Sequence, residues 1–123
     1  MIIHKVYNVD YFIIFMKVLF ICNQNLNRSK TAEHLFKKEF ETKSAGLYNE
    51  KPVNKKELLW ADIIFVMEDV QINELAKRFP DIYLKKQIIS LDIEDVYLYN
   101  QPQLIRELKT KVNAILTTHK IAA

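Results

Sequence analysis

Cys22-Asn23-Gln24-Asn25-Leu26-Asn27-Arg28-Ser29 places a nucleophile, a permanent cation and a hydroxyl within eight residues. That combination suits phosphoryl transfer. If the stretch is a short loop running into a helix, its backbone N–H groups converge on one spot, and the helix dipole adds positive potential there. A phosphate can then be held by the amides of Asn23, Gln24, Asn25, Leu26 and Asn27 with no glycine at all. Arg28 adds a planar fork that can take two phosphate oxygens, a geometry lysine lacks. The same potential favours a thiolate on Cys22, the form that attacks phosphorus, and Ser29 could donate a hydrogen bond to it. Taken alone, a single cysteine is more often a small buried hydrophobe finishing a strand. Its place in the chain has to decide.

That place is set by two kinds of alternating segment. Val18-Leu19-Phe20-Ile21 is a continuous apolar run, the pattern of a strand buried on both faces. After the polar loop, Ala32, Leu35, Phe36 and Phe40 recur at helical spacing. Lys43 to Leu47 is a short second strand holding the sole glycine, Gly46. Asn54 with Glu57 three residues on reads as a capping box opening a helix to about Ala61. Ile63 to Met67 is another buried-strand run. Asp69 then caps a helix carrying Ile72, Leu75, Ala76 and Phe79, with Pro80 as its stop. Gln87 to Leu91 is a fourth strand. Pro102 opens a terminal amphipathic helix whose apolar face is Leu104, Ile105, Leu108, Val112, Ile115 and Leu116. Alternating strands and helices predict an α/β domain: a four-stranded parallel sheet with helices on both faces, its ligand crevice at the carboxyl ends of the strands. Cys22 falls at the carboxyl end of the first strand.

Composition narrows the field further. A chain of 123 residues with 50% hydrophobic and 27% charged residues is the size of one globular domain. One cysteine permits no internal disulfide and no cysteine-built zinc or iron–sulfur site, and one glycine removes the glycine-rich dinucleotide and Walker-type loops. His4, His34 and His119 follow no metal-ligand spacing and read as exposed or incidental. A net charge of +3 is too small to mark a nucleic-acid binder. The doublets Lys37-Lys38, Lys55-Lys56 and Lys85-Lys86 read as solvated faces, and Trp60 beside Leu58 and Leu59 as core. The apolar run Tyr11 to Cys22 resembles a leader, but Lys17 interrupts it, it falls short of the ~20 residues of a membrane span, and bulky Ile21 precedes Cys22. The expectation is a cytoplasmic protein with no membrane partner, a domain from Met16 to Ala123, and residues 1–15 as an upstream extension or an extra edge strand.

With these residues in place, the sequence resembles the low-molecular-weight protein tyrosine phosphatases. The resemblance lies in Val18 to Cys22, Arg28 six residues on, Ser29, Thr31-Ala32-Glu33 and Ser44-Ala45-Gly46, and it runs from Met16 to about Leu116. It implies a four-stranded parallel α/β fold needing no metal or cofactor. It implies Cys22 as a nucleophile that becomes phosphorylated, Arg28 as the phosphate clamp, Ser29 as the thiolate partner, and Asn25 as a residue that holds the loop. An aryl phosphate also needs a general acid for its leaving phenolate. The family keeps an aspartate followed by proline and aromatics after its fourth strand; Ile93-Glu94-Asp95-Val96-Tyr97 resembles this, with Val96 in place of proline. Asp95 is the first candidate and Asp92 the second, both also readable as solvated turn residues. Tyr97 and Tyr99 would flank a flat substrate ring or simply pack on the surface. Gln24 stands where the family usually has glycine, and Asn27 where it has a second cysteine, so an oxidised Cys22 has no loop partner. The segment from Gly46 to Trp60 is short, as in compact bacterial relatives. The implied activity is hydrolysis of phosphotyrosine in proteins or of a small aryl phosphate through a phosphocysteine. The alternatives are an arsenate reductase dependent on an external thiol, a non-catalytic module binding a phosphoryl ligand, and, more weakly, a phosphocarrier.

Overall fold

The structure is a computed structural model and describes residues 16–119. The expectation for residues 1–15 therefore lies outside the described residues. Four strands, β1 (Lys17–Cys22), β2 (Glu41–Gly46), β3 (Ile63–Val66) and β4 (Ile88–Ser90), form one parallel sheet in the order β2-β1-β3-β4. The helices are α1 (Arg28–Phe36), α2 (Lys55–Trp60), α3 (Asp69–Arg78), α4 (Pro80–Lys85) and α5 (Pro102–His119).

Strand alternation sorts the apolar run into two cores. Val18, Phe20 and Cys22 of β1 share one face with Phe65, and there they meet Ala32 and Phe36 of α1 and Leu104, Leu108, Val112 and Leu116 of α5. Phe20 stacks between Phe36 and Phe65, at ring-centroid distances of 5.8 and 5.6 Å. Leu19, Ile21, Ile64 and Val66 point the other way, onto Leu58 of α2, Leu75 of α3 and Ile82 of α4. From Val18 on both faces of β1 are therefore dry, which is why Val18 to Ile21 is uninterrupted by polar residues.

Local signals hold in part. The Asn54–Glu57 capping box is present, with Glu57 N–H donating to Asn54 Oδ1 at 2.9 Å and Asn54 N–H to Glu57 Oε1 at 3.0 Å. Trp60 packs partly buried on the second core, with Lys43 Nζ 4.5 Å from its ring centre. Phe40 is buried as expected but lies beyond α1, which ends at Phe36. Two expectations need correction. Asp69 is the first residue of α3 rather than its cap, a position taken by Glu68. Pro80 ends α3 but also begins α4: a proline at the first helical position gives up only an N–H that has no intrahelical partner anyway. Lys86 is likewise more than surface charge, since its Nζ donates to the carbonyls of Leu59 and Ala61 at 2.9 and 2.5 Å.

Candidate active site

From β1 the chain leaves through α1 on one face of the sheet; from β3 it leaves through α3 on the other. The crevice between the two departures opens at the carboxyl ends of the central strands. The loop of residues 23–27 lies there and is pinned from three sides. Leu47 N–H donates to the Cys22 carbonyl at 3.0 Å and Tyr48 N–H to that of Asn23 at 2.8 Å, so the residues just past β2 hold its start. Gln71 of α3 is fully buried: its Oε1 accepts from the N–H groups of Met67 and Glu68 at 2.8 and 2.9 Å, and its Nε2 donates to Asn23 Oδ1 at 2.9 Å. Asn25 turns the loop in the left-handed region at φ 55, which asparagine tolerates better than most side chains, and its Oδ1 accepts from Ser29 Oγ at 2.7 Å. Gly46 is needed outside the loop: a Cβ there would stand 2.6 Å from Asn49 Oδ1 and 3.0 Å from the Asn23 carbonyl oxygen.

Cys22 is 3% exposed, with Sγ 2.9 Å from Ser29 Oγ. Arg28, the first residue of α1, is 1% exposed. A buried guanidinium must be paired. Its Nη1 donates to Glu68 Oε1 at 2.9 Å and to the Ile93 carbonyl at 2.8 Å, and its Nη2 lies 3.6 Å from Asp95 Oδ2. Cys22, Gln24, Leu26, Asn27, Arg28 and Asp95 together line a cavity of about 100 Å³. The arrangement provides a nucleophilic sulfur at the floor, a fixed positive charge beside it, and a carboxylate that is 58% exposed.

The sequence candidates divide accordingly. Asp95 reaches the cavity. Asp92, with φ 56, is not among the residues lining it; its N–H donates to Ser90 Oγ at 3.2 Å and its carbonyl accepts from Lys111 Nζ at 2.6 Å. Tyr97 packs half-buried against the first core and lines a separate cavity of about 280 Å³ with Gln103, Arg106, Glu107, Thr110 and Lys111. Tyr99 meets His34 edge-on and is hydrogen-bonded to it through Oη and Nδ1, so His34 is exposed but not idle. Asn100 N–H donates to the buried Thr31 Oγ1 at 2.8 Å, tying the segment that bears Asp95 to α1. Glu68 and Gln71 are the residues that sequence reasoning missed. The signal available for them was their position directly after a buried strand adjacent to β1. Among the described residues, no helix is long and apolar enough to cross a membrane, and no group of three or more His, Cys, Asp or Glu side chains is placed to hold a metal ion.

No protein-family model matches this sequence, and no curated protein matches it. Solved structures do. A low-molecular-weight protein tyrosine phosphatase from T. tengcongensis is 22% identical with a TM-score of 0.66, the match covering 84% of this chain and 99% of that one. The tyrosine phosphatase Wzb from Escherichia coli K30, solved in complex with phosphate, is 16% identical with a TM-score of 0.63, over 85% and 99% of the two chains. A YwlE arginine phosphatase, in a cysteine-to-serine mutant with a phosphorylated active-site serine, is 18% identical with a TM-score of 0.68, over 87% and 97%. The chain has the fold of these low-molecular-weight phosphatases.

Proposed function

On that fold, we propose that this chain is a cysteine-dependent phosphomonoester hydrolase that acts on aryl phosphates, above all phosphotyrosine in proteins. The observation that carries the reading is the pairing of a buried Cys22 with a buried Arg28 on one cavity that also takes in Asp95. Arg28 and the loop amides hold the phosphoryl oxygens while Cys22 Sγ attacks phosphorus in line with the leaving oxygen. The P–O bond breaks, and Asp95 gives its proton to the departing phenolate. In the second step water attacks phosphorus, its proton passes to the Asp95 carboxylate, and the P–S bond breaks to return the thiolate and inorganic phosphate.

Leu26 supports an aryl leaving group. It is 66% exposed on the cavity wall, an apolar side chain suited to the face of a phenyl ring and offering no acceptor to a guanidinium. The second reading, a phosphoarginine hydrolase, rests on the arginine phosphatase of the same fold. Arsenate could enter the same cavity, but with Cys22 as the sole cysteine its reduction would need an external thiol. A catalytic thiol without a second cysteine suits a reducing compartment, so we assign the enzyme to the cytoplasm.

The test is hydrolysis of p-nitrophenyl phosphate in the presence of a chelator. The expected result is turnover that Cys22→Ser abolishes; turnover that persists in Cys22→Ser rules the mechanism out. Phosphate binding with no turnover selects the non-catalytic module, and a preference for phosphoarginine peptides over phosphotyrosine peptides selects the second reading.

A further inference from the structure

Asn27 is the N-cap residue of α1, yet its side chain makes no cap hydrogen bond. An asparagine in that position ordinarily accepts from an N–H of the first turn and so stabilises the helix start. Here its backbone is helical rather than extended, at φ −115 and ψ −70, and the carboxamide has no hydrogen-bond partner among the described residues. Asn27 is half-buried and is among the residues that line the cavity, with Cys22, Arg28 and Asp95.

Nη1 of Arg28 is already committed to Glu68 and the Ile93 carbonyl, which leaves the guanidinium only its other edge for a phosphate. A phosphoryl dianion presents acceptors alone, several on each of its oxygens, and those that the Arg28 edge and the loop amides leave free need another donor. We propose that the Asn27 carboxamide is a phosphate-binding group, its Nδ2–H donating to a phosphoryl oxygen held over Cys22 Sγ. This rests on the hydrolase reading above and adds a side-chain contact to a site otherwise built from Arg28 and backbone. It also gives the polar residue at position 27 a task in substrate binding.

The test is calorimetric titration of the full chain with inorganic phosphate, comparing the natural sequence with Asn27→Ala, Asn27→Gly and Asn27→Asp. Glycine and aspartate both serve as N-caps, so those two variants keep the helix start and the fold. The expected result is phosphate affinity about tenfold weaker in both Asn27→Ala and Asn27→Gly, the scale of one hydrogen bond to a charged group. Asn27→Asp should be weaker still, since a carboxylate repels the dianion and offers no donor. Recovery of natural affinity in Asn27→Gly but not in Asn27→Ala would show that the helix start is what matters and overturn the proposal. Unchanged affinity in both overturns it too, while leaving the hydrolase reading intact. A natural chain that binds no phosphate overturns the hydrolase reading, and this contact with it.

Discussion

Ser29 has one hydroxyl proton and two neighbours that could take it. The hydroxyl donates to Asn25 Oδ1 at 2.7 Å, and its oxygen also lies 2.9 Å from Cys22 Sγ. Turned toward Sγ, the same proton would be the hydrogen bond that a thiolate accepts. Asp95 is the other residue whose role depends on charge, and its test is chemical: a poor leaving group needs its proton more than a good one. Asp95→Asn should lower kcat on phenyl phosphate by about 10²- to 10⁴-fold. On p-nitrophenyl phosphate, whose leaving group is far less basic, the loss should be clearly smaller. Equal losses on the two substrates, measured by steady-state kinetics, would remove Asp95 as the acid.

At the scale of elements, the loop of residues 23–27 is held in shape by a helix from the other side of the sheet. Gln71 joins the end of β3, the start of α3 and Asn23 through three hydrogen bonds. Gln71→Ala leaves the buried Met67 N–H and the Glu68 N–H unpaired, at about 1–3 kcal/mol for such a group. The expected outcome is a loss of about 2–4 kcal/mol in urea unfolding together with weaker phosphate binding. Loss of stability with phosphate affinity unchanged would show that the loop keeps its shape without Asn23 being held.

This scale also shows what the sequence could and could not display. Val18 to Ile21, the Asn54–Glu57 box and the apolar stripe of α5 are local patterns, and a chain read residue by residue reveals them. Cys22 and Arg28 were legible because strand, loop and helix follow one another without a break. Glu68 and Gln71 were not: they reach Arg28 and Asn23 across 40 and 48 residues, a proximity created by β1 and β3 lying side by side. Asp95 ranked above Asp92 in the sequence only through the family resemblance; that Asp95 lines the cavity and Asp92 does not is visible only in three dimensions. Pro80 misled because proline marks a helix end and a helix start alike.

For the whole molecule, the candidate nucleophile and the core are one continuous object. Cys22 belongs to the same buried cluster as Val18, Phe20 and Phe65, so the cavity floor is the top layer of the hydrophobic core. Phe20→Ala should cost about 3–5 kcal/mol, a large part of the roughly 5–15 kcal/mol that holds a domain folded. Thermal melting should register it as a fall of roughly 10–20 °C in Tm; a shift of only a few degrees would mean that this face of the sheet is not packed against α1 and α5 as described. Transfer of a phosphoryl group onto Cys22, on which the proposed function depends, is checked by acid-quenching the full chain during turnover of p-nitrophenyl phosphate and mapping its peptides by mass spectrometry. The expected result is one added phosphoryl group on the peptide containing Cys22, lost on incubation at neutral pH and absent in Cys22→Ser after the same brief exposure. Turnover with that peptide unmodified, or with the phosphoryl group on another residue, would contradict it.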